Sequence, residues 1–149
     1  RVGASKAQVE RLKGIAAEEK SSGAPLIEDV DFRRDVAELE ISLQALEYTE
    51  LRYLMASAKG EEPGAEASML KIRGTEIQQR ISELLMQAMG MYAHPYVPEA
   101  MEYGWNEDPI GSEYAPLLAP AYFDTRKTSI YGGTNEIQKN IMAKMVLGL

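Results

Sequence analysis

The sequence contains no cysteine and only one histidine, His94, among its 149 residues. Disulfide frameworks, thiolate nucleophiles and cysteine-based zinc sites are therefore excluded, and the composition predicts no metal site. Because disulfides belong to oxidising compartments, a cysteine-free chain also favours a cytoplasmic location. His94 has no evident partner acid or nucleophile, and we interpret it as a structural or surface residue.

Long apolar runs and a surplus of positive charge are also missing. No stretch approaches the roughly 20 apolar residues that cross a bilayer, so we expect no membrane insertion. Lysine and arginine total 16 against 23 acidic residues, a net charge of −7, which argues against a nucleic-acid partner. Residues 124–149 nevertheless carry four cations against two anions. An anionic ligand would therefore be best received near the C-terminus.

What the sequence does have is helical periodicity. Apolar residues recur three and four apart over residues 4–20, 31–58 and 65–89, and they predict three helices. Gly60 and Pro63 mark a short turn after the second helix, so the second and third helices should be antiparallel. No segment carries a convincing strand pattern. We predict an all-α fold, an up-and-down four-helix bundle forming a single domain over residues 1–149.

A long irregular connection is expected before the last helices. Residues 90–120 contain five of the seven prolines, together with Tyr92, Tyr96, Tyr103, Trp105 and Tyr114. A flexible linker has no need of aromatic side chains, so we predict an ordered connection anchored by them. Helix is expected to return over residues 121–130 and again from Thr134.

Two methionine pairs have a spacing that a soft-metal site could use. Met86 and Met89, and likewise Met142 and Met145, stand three residues apart. No cysteine is present to complete a ligand set. We interpret these methionines as filling the core on a helical face.

The segment SIYGGTNEIQ, residues 129–138, is the most informative part of the chain. Gly132 and Gly133 allow positive φ angles and close approach of a ligand or another backbone. Thr134 is a good N-cap, and the helix start after it offers free amides and a positive dipole end. Such a start suits a pyrophosphate or another anion. The alternative is a tight bend between two helices with no ligand.

The segment RKTSIYGGTNEIQKNIMAKMVLGL, residues 126–149, resembles the C-terminal signature of the acyl-CoA dehydrogenases. These flavoproteins desaturate acyl-CoA thioesters between Cα and Cβ. Residues 66–90 resemble the family moderately. The resemblance implies that the chain is the family's C-terminal all-α domain, and the start at Arg1 rather than Met leads us to expect a longer protein, with a helical and a β domain upstream. It further implies FAD, an acyl-CoA substrate, an electron-transfer flavoprotein as acceptor, and assembly with copies of itself or with a paralogous subunit.

The same resemblance implies which residues meet the cofactor. Thr134 would sit against FAD, in the stretch that includes Gly133, and Tyr131 would lie near the flavin and the thioester. Gln87 and Gly90 match a Gln-X-X-Gly motif that reaches the adenosine half of FAD bound by a neighbouring subunit. Met91 stands where many members carry a second glycine of that motif.

Gly132 occupies the position at which most members carry the glutamate base. Glycine offers no proton acceptor, so no catalytic residue is assigned within this chain, and the isolated chain should be inactive. The base could lie upstream of Arg1, which we favour, or in a paralogous partner subunit, or be absent altogether. Glu136 is the nearest carboxylate, and we interpret it as a surface or capping residue at a helix start. The competing function is a non-catalytic interaction or scaffold subunit of a heteromeric acyl-CoA dehydrogenase-like complex.

Overall fold

Five α-helices make up most of the molecule. The computed structural model describes residues 2–62 and 64–149. The helices are α1 (Val2–Glu18), α2 (Val30–Ala58), α3 (Glu66–Met89), α4 (Leu118–Thr125) and α5 (Asn135–Leu147). Two short strands, β1 (Lys20–Ser21) and β2 (Ala24–Pro25), pair antiparallel between α1 and α2. No helix in the described part of the chain combines the length and apolar character needed to span a membrane.

The first three helices run up, down and up, as the sequence predicts. Two contacts show how α2 meets α3. Leu46 of α2 is the side chain nearest to Gly74 of α3, and Asp35 of α2 forms a 2.8 Å ion pair with Arg80 of α3. As residue numbers fall along α2 they rise along α3, so the two helices are antiparallel. Two ion pairs show the same for α1 and α2, and they join Lys6 to Glu47 and Lys13 to Glu40.

The core lies between α1, α2 and α3, and α4 closes it. Leu12 of α1 and Leu84 of α3 are fully buried. Around them pack apolar side chains that the three-and-four spacing places on the inward faces, among them Val36, Leu39, Leu43, Ile77, Ile81 and Leu118. Burying one such side chain stabilises the fold by roughly 1.5–3 kcal/mol. Helix α5 also packs against α3, so α3 lies at the centre of the molecule and contacts all four other helices.

Helix boundaries differ from the predicted ones where the chain changes helix type. Helix α4 begins at Leu118, three residues before the predicted start, because proline is tolerated in a first helical turn and Pro120 lies there. It ends at Thr125, and the chain tightens into a 3₁₀ turn over Arg126–Ser129. Pro63, proposed above as part of a helix stop, lies outside the described residues.

The aromatic residues of the irregular connection serve different purposes. Tyr114 packs against the core, with the Arg11 guanidinium 5.3 Å from its ring centroid. The Tyr92 ring fills the space beside Gly111, where a Cβ would come within 2.7 Å of it. Tyr96 and Tyr103 are exposed, so the prediction that they anchor the connection is wrong. Their rings face outward, whereas Tyr114 anchors the segment to the core.

The methionine interpretation is correct on α3 and, on α5, wrong for Met145, while Met142 is half-buried. Met89 is buried and Met86 packs against the core. Met145 is 55% exposed, because α5 lies on the outside of the bundle and turns this face away from α3. Helical spacing therefore identified an apolar stripe on α5 without identifying what covers it.

Candidate functional site

The loop of residues 131–134 joins the 3₁₀ turn to α5. Gly132 and Gly133 have φ angles of +67° and +87°, which side chains rarely adopt. A Cβ on Gly133 would lie 2.7 Å from Nε2 of Gln138, whereas one on Gly132 would meet nothing within 4 Å. The positive φ angles favour glycine at both positions, and a side chain at Gly133 would in addition displace the flexible end of Gln138, whereas Gly132 leaves open space. Tyr131, just before them, is 49% exposed.

Thr134 caps α5, as the sequence predicts. Its backbone is extended, and its hydroxyl oxygen accepts a hydrogen bond of 3.2 Å from the backbone N–H of Ile137. One of the free amides of the first turn is satisfied in this way.

Glu136 is an exposed residue of that same first turn. Hydrogen bonds from its own backbone N–H and from the Thr134 hydroxyl hold the pKa of the Glu136 carboxyl below its ordinary value. The positive charges of Lys139 and Lys71 lower the pKa further. The carboxylate is therefore stabilised in its charged form at the helix start, which agrees with its interpretation as a surface residue of the helix terminus.

A cleft of about 340 Å³ opens beside the loop. Tyr131 and Gly132 line one side of it. Helices α1, α2 and α3 supply the rest, through residues that include Val2, Leu46 and Leu70. Two lining residues carry formal charges of opposite sign, namely Glu50 and Lys71. The loop and the bundle thus form one concave surface, with Gly132 at its edge.

A row of polar side chains on α3 holds the downstream end of the loop, and we call Lys71, Thr75, Gln79 and Ser82 the polar row. Lys71 Nζ donates a 2.8 Å hydrogen bond to Asn135 Oδ1. Asn135 Nδ2 in turn donates to Thr75 Oγ1 at 3.3 Å. The sequence analysis missed these residues, although their spacing of three and four was a readable signal for one helix face.

Arg126 fastens the 3₁₀ turn before the loop to the same row. Its guanidinium donates to the carbonyl oxygen of Gln79 at 3.1 Å and to Ser82 Oγ at 2.8 Å. It also forms a 2.9 Å ion pair with Glu83 and lies 4.2 Å from the ring centroid of Tyr122. The Gln79 side-chain amide donates to the carbonyl oxygens of residues 125 and 126. The 3₁₀ turn before the loop and Asn135 directly after it are thereby both bonded to α3.

The other predicted site residues lie far from the loop. Gln87 and Gly90 are exposed at the C-terminal end of α3, where Gly90 ends the helix with a φ of +57°. Sixteen helical residues separate Gln87 from Lys71 in the sequence, which corresponds to about 24 Å. The structure brings Tyr131, Gly133 and Thr134 together, and it places Gln87 and Gly90 at the opposite end of α3 from them. His94 is exposed near that end.

Metal ligands do not gather anywhere in residues 2–62 and 64–149. In that part of the chain no three histidine, aspartate or glutamate side chains lie close enough together to hold an ion.

Comparison with known proteins identifies one family. Residues 1–147 match the family described as "Acyl-CoA dehydrogenase, C-terminal domain". No curated protein matches the chain at a significant level.

Several solved structures share the fold. The ChsE4-ChsE5 complex from Mycobacterium tuberculosis superimposes with a TM-score of 0.75 at 23% identity, over 100% of this chain and 36% of that chain. The FAD complex of PigA gives 0.76 at 20% identity, over 99% of this chain and 34% of that one. Butyryl-CoA dehydrogenase from Megasphaera elsdenii gives 0.74 at 19% identity, over 98% and 33%. The chain therefore spans about a third of the length of these structures.

Proposed function

The chain belongs to the C-terminal domain family of the acyl-CoA dehydrogenases, and we propose that it forms one wall of the flavin site in an FAD-dependent enzyme that desaturates an acyl-CoA thioester. The observation that carries the proposal is the loop of residues 131–134, which stands at the edge of a cleft, with the 3₁₀ turn before it and Asn135 directly after it both bonded to α3. The matched structures are about three times as long. The remaining walls of the site would come from a flavin-binding domain outside these 149 residues.

The residues of the loop fit a flavin cofactor in their exposure and chemistry. Gly132 leaves open space beside the backbone, and Tyr131 offers a half-exposed aromatic ring. Helix α5 directs its free amides and positive dipole end toward the same region, which suits the negative charge that a reduced flavin carries. When bound, FAD would supply the acceptor for the hydride that leaves Cβ. This chain's contribution would be to hold Thr134 and Tyr131 against the cofactor and to exclude water from the cleft.

Gln87 and Gly90 would serve a second flavin. Their distance from the loop is too great for both sets to contact the isoalloxazine of one cofactor. We propose that they contact the adenosine half of FAD held by a neighbouring subunit. This assignment requires assembly, either with copies of the chain or with a paralogous subunit.

The catalytic base is proposed to come from outside the chain. Proton removal from Cα needs a positioned acceptor, and Gly132 provides none. Glu136 is exposed and stabilised as a helix-terminal carboxylate, so it is a poor candidate. A carboxylate in the polypeptide that precedes residue 1 is our preferred source. Electrons would then pass to an electron-transfer flavoprotein, and the cytoplasmic location stays a prediction.

Gly132 also favours a second function, that of a non-catalytic subunit in a heteromeric complex. In that case the paralogous partner would supply the base, and this chain would contribute structure and part of the binding surface. The solved ChsE4-ChsE5 complex shows that the fold occurs in assemblies of two differently named chains. The two functions differ in whether the chain's own polypeptide carries the base.

The visible spectrum of the purified full-length protein tests the main proposal. Bound oxidised flavin should give a yellow protein that bleaches when its acyl-CoA is added without oxygen. The 149-residue chain alone should bind FAD weakly or not at all, because a helix terminus and one loop form only a partial site. A colourless full-length protein, or submicromolar FAD affinity in the short chain, would contradict the proposal.

Gly132→Glu separates the two functions. If the base lies in the same polypeptide, a second carboxylate beside it should raise one pKa, and activity should fall or its pH profile shift. If the subunit has no base, the substitution could create activity from almost none. The matched control is Gly132→Ala, which adds the same backbone strain without a carboxylate.

A further inference from the structure

Lys71 places a positive charge at the N-terminal end of α5, where the helix dipole favours a negative one. Its ammonium group bonds to Asn135, the first residue of α5, where the helix dipole is positive. A cation at this end is unfavourable for the helix itself. The negative charge of Glu136 in the same first turn offsets part of this cost. The hydrogen bond to Asn135 is the contact that gives the Lys71 ammonium group a defined place.

The hydrogen bond from Lys71 to Asn135 is partly buried. Thr75 and Asn135 are 4% and 8% exposed, and Thr75 also donates a 2.8 Å hydrogen bond to the carbonyl oxygen of Ile72. Within the described residues no buried side-chain nitrogen or oxygen lacks a hydrogen-bond partner. The contact therefore has a defined geometry, because satisfied polar groups in a buried setting specify one arrangement.

The other hydrogen bonds of the loop run to its neighbours in the chain, among them Lys127 and Gln138, and not to α3. Gly132 and Gly133 have no side chains, and Tyr131 is half exposed. In α5, Asn135 is the buried residue, and the apolar side chains of Ile137 and Ile141 face outward. The location of the loop relative to α3 thus depends on the polar contact through Lys71 and, at the 3₁₀ turn before the loop, on the contacts of Arg126 and Gln79.

We propose that Lys71 is a positioning residue, which acts through Asn135 to set how far Gly132 and Thr134 stand from α3 and so fixes the width of the cleft where flavin and thioester meet. This inference rests on the proposed function for its catalytic consequence. Its structural part concerns only this chain. Lys71 also lines the cleft with Tyr131 and Gly132, so loss of its bond widens the same space.

Lys71→Met in the full-length flavoprotein tests the proposal. The matched control is Arg73→Met, which removes the same charge two residues away on α3, where Arg73 is exposed and pairs with Glu76 at 2.8 Å. Lys71→Arg keeps a donor of similar reach, and Thr75→Val removes the hydroxyl that accepts from Asn135. The variants are compared by amide hydrogen exchange over residues 130–136, by flavin absorbance and by steady-state kinetics.

Lys71→Met should speed exchange of amides in residues 131–135 by about tenfold, the effect of losing one hydrogen bond to a charged group. It should also shift the flavin spectrum and lower kcat more than it raises KM, because misplacement of a wall residue affects geometry at the reacting atoms. Arg73→Met should change neither, and Lys71→Arg should restore part of the loss. Thr75→Val should reproduce the exchange effect in a weaker form if Lys71→Met fails to fold.

Equal exchange rates in the Lys71→Met and Arg73→Met proteins would overturn the positioning role. A normal flavin spectrum with unchanged kcat in Lys71→Met would overturn its catalytic consequence. A wild-type protein without flavin would contradict the proposed function instead, and the exchange comparison would still decide whether Lys71 sets the loop.

Discussion

Helices α3 and α5 carry apolar stripes with the same helical spacing, yet they are held in the molecule by different forces. The stripe on α3 is buried, and Ile77, Ile81 and Leu84 are at most 4% exposed. The stripe on α5 faces outward, with Ile137, Ile141 and Met145 between 38% and 55% exposed. Polar contacts between Asn135 and α3 attach the start of α5, and the half-buried Met142 and Ala143 lie further along it.

This difference separates the part of the molecule that provides stability from the part that provides a binding surface. Burial of apolar area is non-directional and roughly proportional to area, so the apolar stripe of α3 contributes more to stability than that of α5. Hydrogen bonds contribute less net free energy but define distance and orientation. A loop attached by such bonds can be held in one place while its outer face stays open to another domain, a ligand or a partner.

The largest expected effect is on α3. Leu84→Ala should lower the free energy of unfolding by about 2–5 kcal/mol, because a fully buried leucine leaves a cavity. Ile137→Ala on α5 should change it by no more than about 0.5 kcal/mol in the monomer. Urea denaturation of the two variants beside the wild type measures both. Equal losses would show that α5 is packed as tightly as the bundle.

Arg126→Met should have the next largest effect, a loss of about 2 kcal/mol, because several hydrogen bonds and one ion pair are removed together. Lys127→Met is the matched control, since the neighbouring lysine is exposed and pairs only along its own turn with Asp124. The same denaturation assay applies. A control as destabilised as the Arg126 variant would indicate that charge, and not the contacts with α3, is responsible.

Self-association is expected next. The chain exposes 9,670 Å², whereas a folded monomer of 16.5 kDa exposes about 7,500 Å². We expect part of this excess surface, the α5 stripe, to be buried against a second copy of the chain. Ile141→Lys should therefore raise the dissociation constant of the complex by about tenfold. Analytical ultracentrifugation at tens of micromolar measures it, with Ile110→Lys on the irregular connection as control. A wild-type chain that stays monomeric would contradict the expectation.

The smallest effect concerns Glu136. Its lowered pKa means that the folded state favours the carboxylate, so the stabilisation is present above the pKa of the unfolded chain and is lost as pH falls through the folded value. Thr134→Val removes one of the two hydrogen bonds and should move the pKa of Glu136 back toward its ordinary value. Carboxyl-carbon NMR titration measures the shift. An unchanged pKa would show that the backbone N–H and the charges of Lys139 and Lys71 lower it without the Thr134 hydroxyl.

Much of the fold could be read from local pattern. The helices over residues 31–58 and 65–89 were predicted to within one residue at each end, because apolar spacing and a glycine turn are properties of neighbouring residues. The Thr134 cap was predicted for the same reason. The early start of α4 and the outward stripe of α5 were missed, since periodicity reports a face and not what covers it.

The sequence by itself determined the helices, the positive-φ loop at Gly132 and Gly133, and the lack of any side chain at those two positions. Those features depend on residue type and on separations of three or four positions. The tertiary structure alone decided that Lys71 and Thr75 meet Asn135, because these contacts join residues 60 or more positions apart. It likewise decided that Gln87 and Gly90 stand at the far end of α3 from the loop. Distance in space between elements is set by packing, which no local spacing encodes.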